Sequence, residues 1–165
     1  MHQRLNWALA APNAVKAMQA LGRVAHESGL ESSLLDLVML RASQINHCGY
    51  CVDMHSKDAR ARGETEQRLY LVSAWEDAGC FNERERAALL WTEAVTNVTD
   101  GFVPDAVYDR VRPQFTEAEL VNLTVAIVAI NGFNRLNVSF RIPAGGYRPA
   151  VATPVSTRTE GPPAD

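Results

Sequence analysis

The chain predicts an all-α fold, a compact bundle of about six to seven helices. Three observations carry that prediction. Apolar residues recur at three- and four-residue spacing through most of the length. Ser, Thr, Asn, Pro and Gly stand at the ends of those stretches, where helices start and stop. No alternating apolar–polar run is long enough for a strand.

Taken in order, Pro12 suits a first helical turn, and Val15, Met18, Leu21, Val24 and Ala25 then form one stripe until Ser28-Gly29 ends it. Ser32 or Ser33 is expected to cap the next helix, apolar over 34–45. A third segment spans about 46–62 and closes at Gly63, and a fourth covers 64–78 before Gly79. Asn82 is a good cap for 83–98, with Ala87, Leu90, Trp91, Ala94 and Val95 on one face. Pro104 opens a shorter segment that Pro113 breaks. Thr116 with Glu119 forms a capping box before the apolar run 120–130, which is expected at the centre of the bundle. Residues 1–142 therefore read as one helical domain. Residues 143–165, rich in Pro and Gly, read as a C-terminal arm that is disordered or laid over a neighbouring subunit.

Composition narrows the function. At 165 residues, 47% apolar and 21% charged, the chain suits one soluble domain. A net charge of −3 with scattered Lys and Arg argues against nucleic-acid binding. Asn6, Pro12 and Asn13 interrupt any secretory leader, and the densest apolar run falls short of the ~20 residues a bilayer needs. A cytoplasmic location is expected, where three cysteines point to redox or metal chemistry rather than a disulfide framework.

The chemistry concentrates in Cys48-Gly49-Tyr50-Cys51-Val52-Asp53-Met54-His55. On a helix, the offsets of three and four put both thiols and the imidazole on one face. If Asn46 or His47 caps that helix, the thiols lie in its first turn, where unpaired N–H groups favour a thiolate. Residues at i and i+3 stand about 5 Å apart at Cα, within disulfide range. His55 lies within reach of Cys51 as a base. One helix earlier, Asp36 is the only charge in the apolar stretch 34–40, and a buried carboxylate there needs a partner such as a nearby imidazole. A zinc site would need four ligands, drawn from the cysteine pair with His47, His55 or Cys80, and no second CxxC or close His pair exists. No bound metal or cofactor is expected. Cys80 reads as structural, Trp75, Trp91 and Phe133 as core or pocket wall, and the row Asn131, Asn134, Asn137 as bonding to backbone or to a subunit neighbour.

The spacing of Asp36, Cys48-x-x-Cys51 and His55 resembles the signature of the alkylhydroperoxidase-D, or carboxymuconolactone decarboxylase-like, family. Residues 81–89, Trp91-Thr92-Glu93-Ala94 and 131–138 also look like its single-motif members, so that the resemblance covers about 5–143. It implies an all-helical fold that assembles into trimers or hexamers, and a thiol-dependent peroxidase acting on hydrogen peroxide or organic hydroperoxides. Within it, Cys51 attacks and becomes a sulfenic acid, Cys48 resolves it, His55 is the base and Asp36 orients or charges His55. An external dithiol or lipoyl-type group reduces the disulfide. The helix-terminus argument by itself favours Cys48 as the more acidic thiol. Two positions depart from the family pattern: Asp36 stands where Glu is usual, and Tyr50 where the best-studied members carry His. The alternatives are a decarboxylase-like enzyme on a small carboxylated ring, and a non-enzymatic thiol redox sensor.

Overall fold

Residues 2–149 are described by the computed structural model, and they form eight α-helices joined by loops and two 3-10 turns, with no strand among them. The order is α1 (Trp7–Ala10), α2 (Pro12–His26), α3 (Ser32–Ile45), α4 (Gly49–Ala61), α5 (Glu66–Leu71), α6 (Glu83–Thr96), α7 (Asp105–Val111) and α8 (Glu117–Phe140). The predicted capping box at Thr116 forms, and the predicted cap Asn82 forms one as well. The side chains of Asn82 and Thr116 accept from the backbone N–H groups of Glu85 and Glu119, whose carboxylates accept in return. Hydrogen bonds from the Thr116 backbone and then from Arg84 hold the Glu119 carboxyl at about 2.

The buried centre is α3 rather than α8. Leu34, Leu35, Val38 and Leu37, Leu40 point to opposite sides of α3 and enter two separate core clusters. The first cluster adds Trp91 of α6 with Leu123 and Ile127 of α8. The second adds Leu69, Val72, Trp75, Phe81 and Leu89. Each buried Leu contributes about 1.5–3 kcal/mol, and α3 supplies four of them to the two clusters, with α6 reaching both through Trp91 and Leu89. The expectation that the run 120–130 lies at the centre of the bundle is corrected: Leu120, Leu123, Ile127 and Ile130 are buried, while Val121 and Val128 stay exposed.

Some boundaries also differ. Ser32 and Ser33 lie inside α3, whose N-cap is Glu31 and has no side-chain cap. The fourth segment splits into α5 and the 3-10 turn Val72–Ala74. That tighter turn lets Val72 and Trp75 both reach the core, with Trp75 Nε1 donating to Glu93. After α8, residues 143–149 return along α4: Gly145 N–H donates to Asp53, Lys57 to the Gly145 and Tyr147 carbonyls, and Tyr147 to Asp58. The rest of the expected arm, 150–165, lies outside the described residues. No single helix among the described residues is long and apolar enough to cross a membrane.

Candidate functional site

The site begins at the turn between α3 and α4. His47 N–H bonds to the Gln44 carbonyl and Cys48 N–H to that of Ser43, the paired pattern of a Schellman ending. This motif requires a left-handed residue, and His47 supplies it with φ 53° in place of the usual glycine. The chain is then set to start a new helix at once. Cys48, rather than Asn46 or His47, becomes the N-cap, and its sulfur accepts from Cys51 N–H at 3.3 Å. Cys48 and Cys51 form a disulfide with Cα atoms 5.3 Å apart. The close dithiol read from the CxxC spacing is thus a formed pair.

The two sulfurs belong to different hollows. Cys51 lines an apolar cavity of about 400 Å³ walled by Trp7, Met39, Met54, Ile130 and Phe133. His55, one turn on, lines the same cavity together with His26. Cys48 lines a second groove, beside His47, Arg141 and residues 142–144. Tyr50 lies between them and borders both.

His55 is buried, and among the described residues its Nε2 has no hydrogen-bond partner. Burial, then the charges of Arg62 and His26, pull its pKa from 6.5 down to about 4. The imidazole is therefore neutral across the physiological range. Because the folded value is depressed, its contribution to stability is complete above 6.5 and is lost as pH falls through about 4. The oxidised protein is expected to lose about 3 kcal/mol between pH 7 and pH 4 through this group. Urea unfolding at both pH values, in wild type and His55→Phe, checks it. An equal loss in the two proteins would place the pH sensitivity elsewhere.

Asp36 is buried, as its surroundings in the sequence imply, but its hydrogen-bond partner is not the imidazole. Arg62, at the end of α4, donates from Nε (2.8 Å) and Nη2 to its two carboxylate oxygens. Asp36 thus makes a forked ion pair, and the expected direct hydrogen bond to His55 is absent. Arg62 lies seven residues after His55, two turns along α4. The guanidinium reaches the carboxylate there and also acts on the imidazole.

The asparagine row of α8 divides by task. Asn46 Nδ2 donates to the side-chain oxygens of Asn131 (2.8 Å) and Asn134 (3.0 Å), tying the α3–α4 turn to α8. Asn134 also donates to Ser43, and Asn131 to Thr96. Asn137 instead donates from Nδ2 to Cys51 Sγ at 3.3 Å, while its Oδ1 accepts from Trp7 Nε1 at 3.0 Å. Trp7, Asn137 and Arg62 were not among the residues picked from the CxxC pattern. The only sequence signal for any of them was the regular spacing of the asparagines. Among the described residues, no three His, Cys, Asp or Glu side chains gather as a metal site requires.

An all-α bundle with a buried cysteine pair at the start of a helix, and a neutral histidine on the same wall, defines a helical protein equipped for thiol chemistry. The chain belongs to the carboxymuconolactone decarboxylase family, whose sequence profile matches residues 12–94. It is 37% identical over 139 residues to the Bacillus subtilis (strain 168) protein YdfG, covering 84% of this chain and 95% of YdfG. A solved structure from Agrobacterium tumefaciens, of unknown function and a suggested antioxidant defence protein AhpD, superposes with a TM-score of 0.85. It shares 43% identity, and the match covers 87% of this chain and 99% of that one. The debrominase Bmp8 shares the fold alone, at 18% identity and a TM-score of 0.74 over 83% of this chain and 74% of its own. The family and the AhpD-like all-α fold expected from the sequence are both found.

Proposed function

We propose that the protein is a thiol-dependent peroxidase that reduces hydrogen peroxide or organic hydroperoxides through a Cys48/Cys51 cycle. The observation that carries this reading is Cys51 and His55 lining one apolar cavity, with Cys51 already bonded to Cys48. In the reduced protein, neutral His55 takes the Cys51 proton. The thiolate attacks the outer peroxide oxygen, the O–O bond breaks, and the alkoxide leaves with the proton from His55 as an alcohol. Cys51 is then a sulfenic acid. The Cys48 thiol attacks its sulfur, water leaves, and the disulfide forms. An external dithiol, such as a lipoyl group in a reducing cytoplasm, takes the disulfide back to two thiols and is itself oxidised. Asp36 acts at one remove, by fixing Arg62.

The walls of the cavity favour this chemistry over decarboxylation of a carboxylated ring. Among the described residues, no Lys or Arg lines it to hold a carboxylate, and its buried imidazole is neutral. Assembly with further copies, as a trimer or hexamer, is part of the same proposal, and the exposed Val121 and Val128, two turns apart on α8, offer an apolar strip for it.

The test is peroxide consumption coupled to a dithiol, in wild type, Cys48→Ser, Cys51→Ser and the double variant. Loss in the variants supports the peroxidase. Equal rates in all four would end it, and a reversible disulfide without turnover would leave a redox sensor.

A further inference from the structure

We infer that Asn137, clamped by Trp7, is the residue that stabilises the Cys51 thiolate. Three features argue for it. The first is direction. Indole Nε1–H is only a donor, so the amide oxygen of Asn137 must face Trp7 and its NH2 must face the sulfur. The orientation of the amide is thereby fixed by chemistry. The second is division of labour. Cys48, as N-cap, receives the Cys51 backbone N–H, whereas the Cys51 sulfur receives its hydrogen bond from a side chain on another helix. The third is need. With its pKa at about 4, the His55 imidazole is a weak acceptor for a thiol proton, so the anion requires a donor of its own. Asn137 is buried and held from both sides, so it pays little reorganisation when charge appears on the sulfur.

The same N–H serves the return step. A reductant thiolate attacks Cys48 Sγ from its groove, and a bond forms between the reductant and Cys48. The Cys48–Cys51 bond breaks, and its electron pair stays on Cys51 as a thiolate facing Asn137. The reductant's second thiol then displaces Cys48, and the reductant departs as a disulfide. A leaving thiol of lower pKa leaves faster, so one donor favours both attack on peroxide and release during reduction.

This inference rests on thiol redox chemistry at Cys51 and not on peroxide as the oxidant, and its test needs no peroxide. The pH midpoint of Cys51 ionisation is measured by thiolate absorbance and by alkylation rate, in a Cys48→Ser background. Asn137→Leu is expected to raise the midpoint by about one pH unit, the size of a charge-assisted hydrogen bond. Asn137→Asp, which places an acceptor against the sulfur, is expected to raise it further. Trp7→Phe frees the amide and is expected to give a smaller rise in the same direction. A midpoint unmoved in folded Asn137→Leu overturns the assignment. Should that variant not fold, an unmoved midpoint in Asn137→Asp and Trp7→Phe overturns it equally. A raised midpoint with no peroxide turnover in the parent would sustain this inference while removing the peroxidase.

Discussion

Cys51→Ser is expected to lower peroxide turnover by at least about a thousandfold, the scale for removing a nucleophile from its catalytic set. Cys48→Ser is expected to fail differently. Its Cys51 still faces the cavity with His55, so one peroxide is consumed per chain and the protein then stops as a sulfenic acid. A stopped-flow burst without steady turnover, with a sulfenic-acid trap found on Cys51, checks the pair. The mirror-image result, a burst in Cys51→Ser and none in Cys48→Ser, would hand attack to the N-cap thiol. The N-cap position does favour the Cys48 thiolate, since its sulfur already accepts a backbone N–H. The proposed cycle assigns attack to Cys51 because Cys51 shares its cavity with the buried His55, whereas Cys48 lies beside His47.

The second large effect concerns stability. Arg62→Met is expected to cost about 2–3 kcal/mol, because it strands the Asp36 carboxylate inside the bundle. The value is set below the roughly 3–5 kcal/mol of a fully buried pair because the Arg62 side chain is 49% exposed and that of Asp36 only 7%. Asp36→Leu should cost clearly less, since the released guanidinium can turn to water. The double variant should recover part of the Arg62→Met loss. Urea unfolding at pH 7 in the four proteins gives the cycle. Equal losses in the two single variants would show that the pair does not behave as a buried acid with a half-exposed base.

Much of the bundle could be read from local signals. The cap at Asn82, the capping box at Thr116 and the stop at Ser28-Gly29 involve residues a few positions apart, and each formed where expected. The misplaced start of α4 has a specific cause. Histidine rarely adopts a left-handed backbone, so nothing local marked His47 as the end of the α3 motif and Cys48 as the next cap. The cysteines and His55 were readable because helical spacing alone brings them together. Asp36 was correctly picked as a buried charge in search of a partner. Choosing between His55 and Arg62 needed the packing of α3 on α4, which places the end of α4 over the acid. Trp7 lay furthest from reach, because it meets Asn137 across 130 residues of chain. No spacing rule links two such positions.

Tyr50 borders both the hollow of Cys51 and the groove of Cys48. For the proposed cycle this gives a single bond two doors. In that cycle the oxidant would reach one sulfur through a greasy chamber, and the reductant would meet the other in a groove edged by His47 and Arg141. Two traffics that never share a doorway do not block one another. Steady-state plots should be parallel lines that stay parallel at high reductant, with no competitive inhibition of peroxide by dithiol.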